Sequence, residues 1–265
     1  MSDQNPDETR MSFGEHLEEL RRRIILSLTG TFAVFLVALF FQDQLVDLIM
    51  IPWYQAIEGL GGDKRAALIT IKPQETFIFY MKICFFTGLF VGAPITLYQM
   101  WRFVAAGLYP HERKAVMRIF PFSVILLMVG MIFGFTVLLP LGLGFLLGYG
   151  SMDIEVTPTI GSYFTFLMAV TLVMGFLFQL PLVMSVCSRM GLIKVVTFRT
   201  YRRHFIVAAF VAAAFLTPPD PVTQVLMGIP VIGLYELGVR LAVSAEKRAA
   251  AQNDASPSKN EEKSA

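Results

Sequence analysis

The sequence is poor in charged residues, cysteine and histidine. Of its 265 residues, 16% are charged, two are cysteines and three are histidines. Cys84 and Cys187 lie far apart inside apolar segments, so their spacing predicts neither a disulfide nor a zinc site. No glycine-rich nucleotide loop is present, and a net charge of +2 is too small to indicate nucleic-acid binding. We therefore expect no cofactor, no metal, no nucleic-acid partner and no ATP hydrolysis by this chain.

Apolar residues are abundant and occur in long runs. They make up 55% of the chain, which has 24 Phe, 14 Met and a mean hydropathy of +0.61. This composition is typical of an integral membrane protein. Six runs are candidate transmembrane helices: Ile24 to Phe41, Phe77 to Met100, Ala115 to Leu139, Ser162 to Val186, Phe205 to Thr217 and Val222 to Leu237. The last two would be only about 20 and 24 Å long as helices, against about 30 Å for a bilayer core. The sequence predicts an all-α membrane protein with six spans, of which the fifth and sixth are short.

The positions of the basic residues predict the orientation of these spans. Most of the 22 Lys and Arg residues lie before the first span, after the second, after the fourth and after the sixth. By the positive-inside rule these segments, and both termini, are cytoplasmic. Residues 42–74 would be external and include a helix near the membrane surface, with Trp53 at the interface. Residues 1–243 would form one transmembrane domain. Residues 244–265 contain no apolar side chain larger than Ala and would be a disordered cytoplasmic tail.

Acidic residues stand next to the first span, in "HLEELRRR". Glu18 and Glu19 each precede an arginine by four residues, an order that stabilises a helix by about 0.2 to 0.5 kcal/mol per pair. A further acid, Glu112 in "YPHERK", is predicted at the same cytoplasmic face. Two carboxylates on one surface would suit a ligand with two guanidinium groups, which carboxylates accept through paired hydrogen bonds. From the residues alone, helix stabilisation and ligand binding both remain open.

Four motifs occur in order along the chain: "HLEELRRR", "PITLYQMWRFVAAGLYPHERK", "SYFTFLMAVTLVMGFLFQLPL" and "FLTPPDPVTQVLMGIPVIGLYELGV". In these motifs the chain resembles the TatC family, and the resemblance extends from about residue 12 to residue 240. This family is the receptor subunit of the twin-arginine translocase, which exports folded proteins whose signal peptides carry an Arg pair. The resemblance implies a multi-pass protein of the bacterial inner membrane, powered by the proton motive force and working in an oligomeric complex with the single-span subunits TatA and TatB.

The resemblance also implies roles for individual residues of the two cytoplasmic motifs. Glu19 and Glu112 match the acids that recognise the twin arginines. Arg21 and Arg113 match basic positions that would organise these carboxylates or contact the signal peptide. The histidines of the same motifs, His16 and His111, belong to the same predicted site.

Polar residues of the later spans form a second group of candidates. Gln179 occupies a position where relatives often carry an acid, so any charged role there is in doubt; partner docking and an interhelical hydrogen bond both remain possible. Pro181, just after it, predicts a kink. Thr217, Asp220 and Gln224 frame the turn "TPPDP", where the resemblance implies docking of TatA and TatB. A helix cap by Asp220 is the alternative for this turn.

Two other classes of membrane protein are alternatives for this sequence. An intramembrane protease of the CAAX type would need histidines within the spans, whereas all three histidines lie at the predicted cytoplasmic edge. Catalysis is therefore not expected. A small-solute secondary transporter remains the alternative, although such proteins often show an internal repeat and an intramembrane carboxylate that this sequence lacks.

Overall fold

The computed structural model describes residues 13–61, 68–107, 110–149, 157–216 and 221–254, and within these ranges the fold is all-α, as predicted. A parallel bridge between Ile69 and Thr159 joins two connecting segments. The α-helices are α1 (Phe13–Ala38), α2 (Gln42–Gly59), α3 (Pro73–Ala106), α4 (Pro110–Phe133), α5 (Leu139–Gly148), α6 (Ile160–Leu177), α7 (Leu180–Arg189), α8 (Val195–Thr200), α9 (Arg202–Leu216) and α10 (Pro221–Asp254).

Several helices join into longer apolar rods. A short 3₁₀ segment, Leu39–Phe41, connects α1 to α2, and a π-helical segment, Gly134–Leu138, connects α4 to α5. Helix α6 is separated from α7 at Phe178 and Gln179, next to Pro181. Because proline has no backbone N–H to donate, the predicted interruption falls at this position.

Five stretches of the described chain are long and apolar enough to cross a membrane: Gly14–Gly59, Pro73–Ala106, Met117–Gly148, Ile160–Arg189 and Pro221–Glu246. The predicted fifth span corresponds to α9, which has 15 residues and is below the length of the others. The count of six spans therefore stays a prediction.

The last helix differs from the prediction. The sequence suggested a short sixth span, but α10 has 34 residues and continues to Asp254. It thus includes residues 244–254 of the segment predicted to be disordered, while residues 255–265 lie outside the described part. The physical reason is composition: Ala, Lys, Arg and Glu follow the apolar run, and these residues favour helix even where they cannot contribute to a core.

The chain divides into two compact units, residues 1–175 and 176–265. In the first unit, α1 and α3 run antiparallel in close contact. A Cβ added at Gly88 would lie 3.1 Å from the carbonyl oxygen of Thr31, and one at Gly92 would lie 3.2 Å from the Thr31 Cα. Small residues let helices approach closely, which is how helices in lipid gain most of their packing energy.

Helix α2 of the first unit is present as predicted, but Trp53 is not an interface anchor. Its side chain is 2% exposed and packs edge-on against Tyr163 of α6. The Tyr163 hydroxyl donates a hydrogen bond to the carbonyl of Ile49. Trp53 is therefore part of the core, because its apolar ring finds aromatic partners on a neighbouring helix.

In the second unit, α7 packs on α10 and α9 lies alongside. The Pro181 Cα lies 3.1 Å from where a Cβ on Gly238 would be. Tyr235 of α10 stacks on Phe205 of α9 at 4.0 Å between ring centroids. Its hydroxyl donates to the Phe198 carbonyl at 2.7 Å, which fixes α8 to the same helix.

Candidate functional site

The carboxylate of Glu19 is held by an arginine on its own helix. Arg23 Nε donates to Glu19 Oε1 at 2.7 Å, and a terminal nitrogen of the same guanidinium lies 2.5 Å from that oxygen. The other terminal nitrogen donates to Gln99 Oε1 on α3 at 2.8 Å. The Glu19 and Arg23 side chains are only 16% and 13% exposed. The four-residue pairing predicted for Glu19 is therefore present, and it is shielded from water.

This arrangement holds the Glu19 carboxylate in one position beside α3. Arg23 pairs with the carboxylate, and Gln99 holds the guanidinium against α3. Gln99 lies in the motif that contains "YQMW", but no rule of spacing marks it as a partner of α1. Only the antiparallel contact of α1 with α3 brings it to the acid.

His16 lies one turn before Glu19 and packs against the end of α3. Its ring stacks on Phe103 with 4.5 Å between centroids, and its Cε1 lies 3.2 Å from where a Cβ on Gly107 would be. The Nδ1 atom is shielded from solvent and has no hydrogen-bond partner among the described residues. His16 therefore places the start of α1 beside the last turn of α3.

Helix α4 begins next in the chain, with the second predicted acid in its first turn. Glu112 and His111 belong to that turn, but their side chains lie outside the described part. The angle between α3 and α4 is fixed by a buried hydrogen bond from Trp101 Nε1 to Ser123 Oγ at 2.9 Å. Packing of Tyr98 edge-on against the ring of Phe120 supports it.

The two arginines predicted to organise the carboxylates are both exposed. Arg21 and Arg113 lie on the surfaces of α1 and α4. Arg23, not Arg21, contacts Glu19.

The second group of predicted residues lies at or near the second unit's helices. Gln179 is 5% exposed at the junction between α6 and α7. Gln224, in the first turn of α10, donates from Nε2 to the Phe210 carbonyl of α9 at 2.7 Å. Thr217 and Asp220 lie outside the described residues. Gln224 therefore couples α9 to α10, whatever else it binds.

No group of three or more His, Cys, Asp or Glu side chains in the described ranges could hold a metal ion.

A family model described as "Sec-independent protein translocase protein (TatC)" matches residues 15–230. The chain belongs to the TatC family. TatC proteins are translocase subunits and not enzymes. They are multi-pass membrane proteins and work within a protein complex.

Relatives and solved structures agree with this assignment. TatC of Desulforapulum autotrophicum is 35% identical over 88% of this chain and 84% of its own length. TatC of Aquifex aeolicus is 34% identical over 90% and 97%, and that of Escherichia coli K12 is 32% identical over 84% and 85%. A crystal structure of the twin-arginine translocase receptor TatC superposes with a TM-score of 0.75 at 34% identity, covering 87% of this chain and 99% of that one. The secondary-transporter alternative has no support among these matches.

Proposed function

We propose that this chain is the receptor of a twin-arginine translocase and binds signal peptides carrying an Arg pair. The observation that carries the proposal is the Glu19 carboxylate, held in place by Arg23 and Gln99 near the start of α1. Membership of the TatC family and the likeness to a receptor structure support it. The site would also include Glu112, Arg21, Arg113, His16 and His111.

Recognition would rest on the geometry of the guanidinium group. A carboxylate accepts two parallel N–H bonds from an arginine but only a single point contact from a lysine. A hydrogen bond to a charged group contributes about 1.5 to 3 kcal/mol. Glu19 would take one arginine of the pair and Glu112 the other, so the two acids would determine specificity. The apolar core of the signal peptide would add affinity by packing along the helices.

The rest of the assembly follows from the same assignment. The protein would cross the bacterial inner membrane six times, with both termini in the cytoplasm. The start of α1 and the connection from α3 to α4 would then face incoming cargo. TatA and TatB would dock at Gln179, Thr217, Asp220 and Gln224. The proton motive force would supply the energy, without a bound cofactor.

The proposal is tested by the binding of Arg-Arg and Lys-Lys signal peptides to the purified protein. We expect Glu19→Gln and Glu112→Gln each to reduce the preference for Arg-Arg about tenfold, since one charge-assisted bond is worth about that factor. Glu18→Gln is the matched control, because this neighbouring acid is exposed. If the wild-type protein binds both peptides alike, or if Glu18→Gln has the same effect as Glu19→Gln, the proposal fails.

A further inference from the structure

A cavity of about 350 Å³ lies at the end of the first unit opposite Glu19. Its walls come from the starts of α3 and α6 and from the segment just before α3. Since α1 and α3 run antiparallel, the start of α3 lies near the end of α1. Its distance from Glu19 is at least about two-thirds of the thickness of a bilayer core. A cavity of this volume is large enough for a small ligand.

Two lysines line this cavity. Lys72 precedes α3, and Lys82 lies on the same helical stripe as Gln74 and Ile78, because these three residues recur every fourth position. Both lysines are exposed, and neither forms an ion pair with any carboxylate in the described part of the chain. The charge of Lys72 interacts with that of Glu75, but the two lysines outnumber this one acid in the lining.

The acid in the cavity wall is already engaged. Glu75 Oε2 accepts the Ile71 backbone N–H at 2.9 Å, and Oε1 accepts the Gly161 N–H at 3.3 Å. A Cβ on Gly161 would lie 2.8 Å from Glu75 Oε1, so glycine is needed for this contact. Glu75 thus joins the starts of α3 and α6. With two lysines and one glutamate, the cavity lining keeps an excess of one positive charge.

The remaining lining is apolar, and the location is interfacial. Phe79 and Phe164 form the inner wall, while Ile71 on the rim is 72% exposed. Pro73 begins a helix long and apolar enough to cross a membrane, and a cavity at the start of such a helix would lie near one membrane surface, within reach of lipid headgroups. Free phosphate is usually held by backbone N–H groups, but here Glu75 occupies those of Ile71 and Gly161. An amphipathic anion fits this lining better than a free one.

We infer that the cavity binds an anionic phospholipid, with Lys72 and Lys82 contacting the phosphate and Phe79 and Phe164 contacting the glycerol and first methylenes. The inference is independent of signal-peptide binding. A lipid held there would connect the starts of α3 and α6 at the face remote from the proposed receptor site.

Native mass spectrometry of the full chain, released from nanodiscs of equal phosphatidylglycerol and phosphatidylcholine, tests this inference. We expect the wild-type protein to retain phosphatidylglycerol preferentially. Lys72→Gln and Lys82→Gln should each reduce that preference about fivefold, the factor equivalent to one lysine near an anionic headgroup. Lys194→Gln, an exposed lysine before α8, is the matched control and should change nothing.

Three results would overturn the inference. Equal retention of the two lipids would show that the lysines do not select charge. An unchanged preference in the Lys72→Gln, Lys82→Gln double variant would place the lipid elsewhere. Displacement of the lipid by excess inorganic phosphate would identify a free-phosphate site instead. A thermal unfolding curve for each variant separates loss of lipid from loss of fold.

Discussion

Replacing Arg23 with glutamine should destabilise the protein, because Glu19 would keep a half-buried charge without its cation. Exposed ion pairs contribute about 0.2 to 1 kcal/mol, whereas removing one partner of a fully buried pair costs about 3 to 5 kcal/mol. With side chains 13% and 16% exposed, this pair falls between the two cases. We expect Arg23→Gln to lower the free energy of unfolding by about 1 to 3 kcal/mol.

A double-mutant cycle isolates the pair. The Glu19→Gln, Arg23→Gln double variant should lose less than the sum of the single variants, with a coupling of about 1 to 2 kcal/mol. Arg22→Gln is the control, since Arg22 is exposed and such surface changes alter stability by about 0.5 kcal/mol or less.

Denaturant unfolding in detergent micelles, followed by tryptophan fluorescence, measures these energies. Trp101 is 3% exposed and lies two positions from Gln99, so it reports on this region. A coupling below about 0.3 kcal/mol, the usual limit of additivity, would refute the claim that Arg23 holds the Glu19 carboxylate in position.

Two further substitutions test the packing of the first unit by the same unfolding measurement. A Cβ at Gly134 would lie 3.1 Å from the Val170 carbonyl, so Gly134→Ala should cost about 1 to 3 kcal/mol. Gly144→Ala, whose Cβ would meet nothing within 4 Å, should be neutral or stabilising; equal effects at both glycines would contradict this packing. Tyr163→Phe should cost about 1 kcal/mol by removing the hydrogen bond to the Ile49 carbonyl, and an unchanged stability would show that this bond contributes nothing.

The sequence predicted those features that depend on local pattern. Apolar length predicted the five long helices able to cross a membrane, while the short fifth span stays a prediction. A spacing of four predicted the contact of Glu19 with Arg23. Gln99 could not be predicted, because its role depends on which face of α3 meets α1. Trp53 was assigned to the interface because composition cannot tell a buried aromatic residue from an anchoring one. The end of α10 was misplaced because polar helix formers were interpreted as disorder.

The glycines between α1 and α3 bring the two backbones almost into contact, so flexible side chains do not set the spacing of these helices. Helix α1 carries Glu19, and α4, the next helix after α3, carries Glu112 in its first turn. A separation fixed by backbone atoms changes little when the surrounding lipid becomes thicker or thinner. The contact would then keep the start of α1 at a constant distance from the end of α3 in membranes of different thickness.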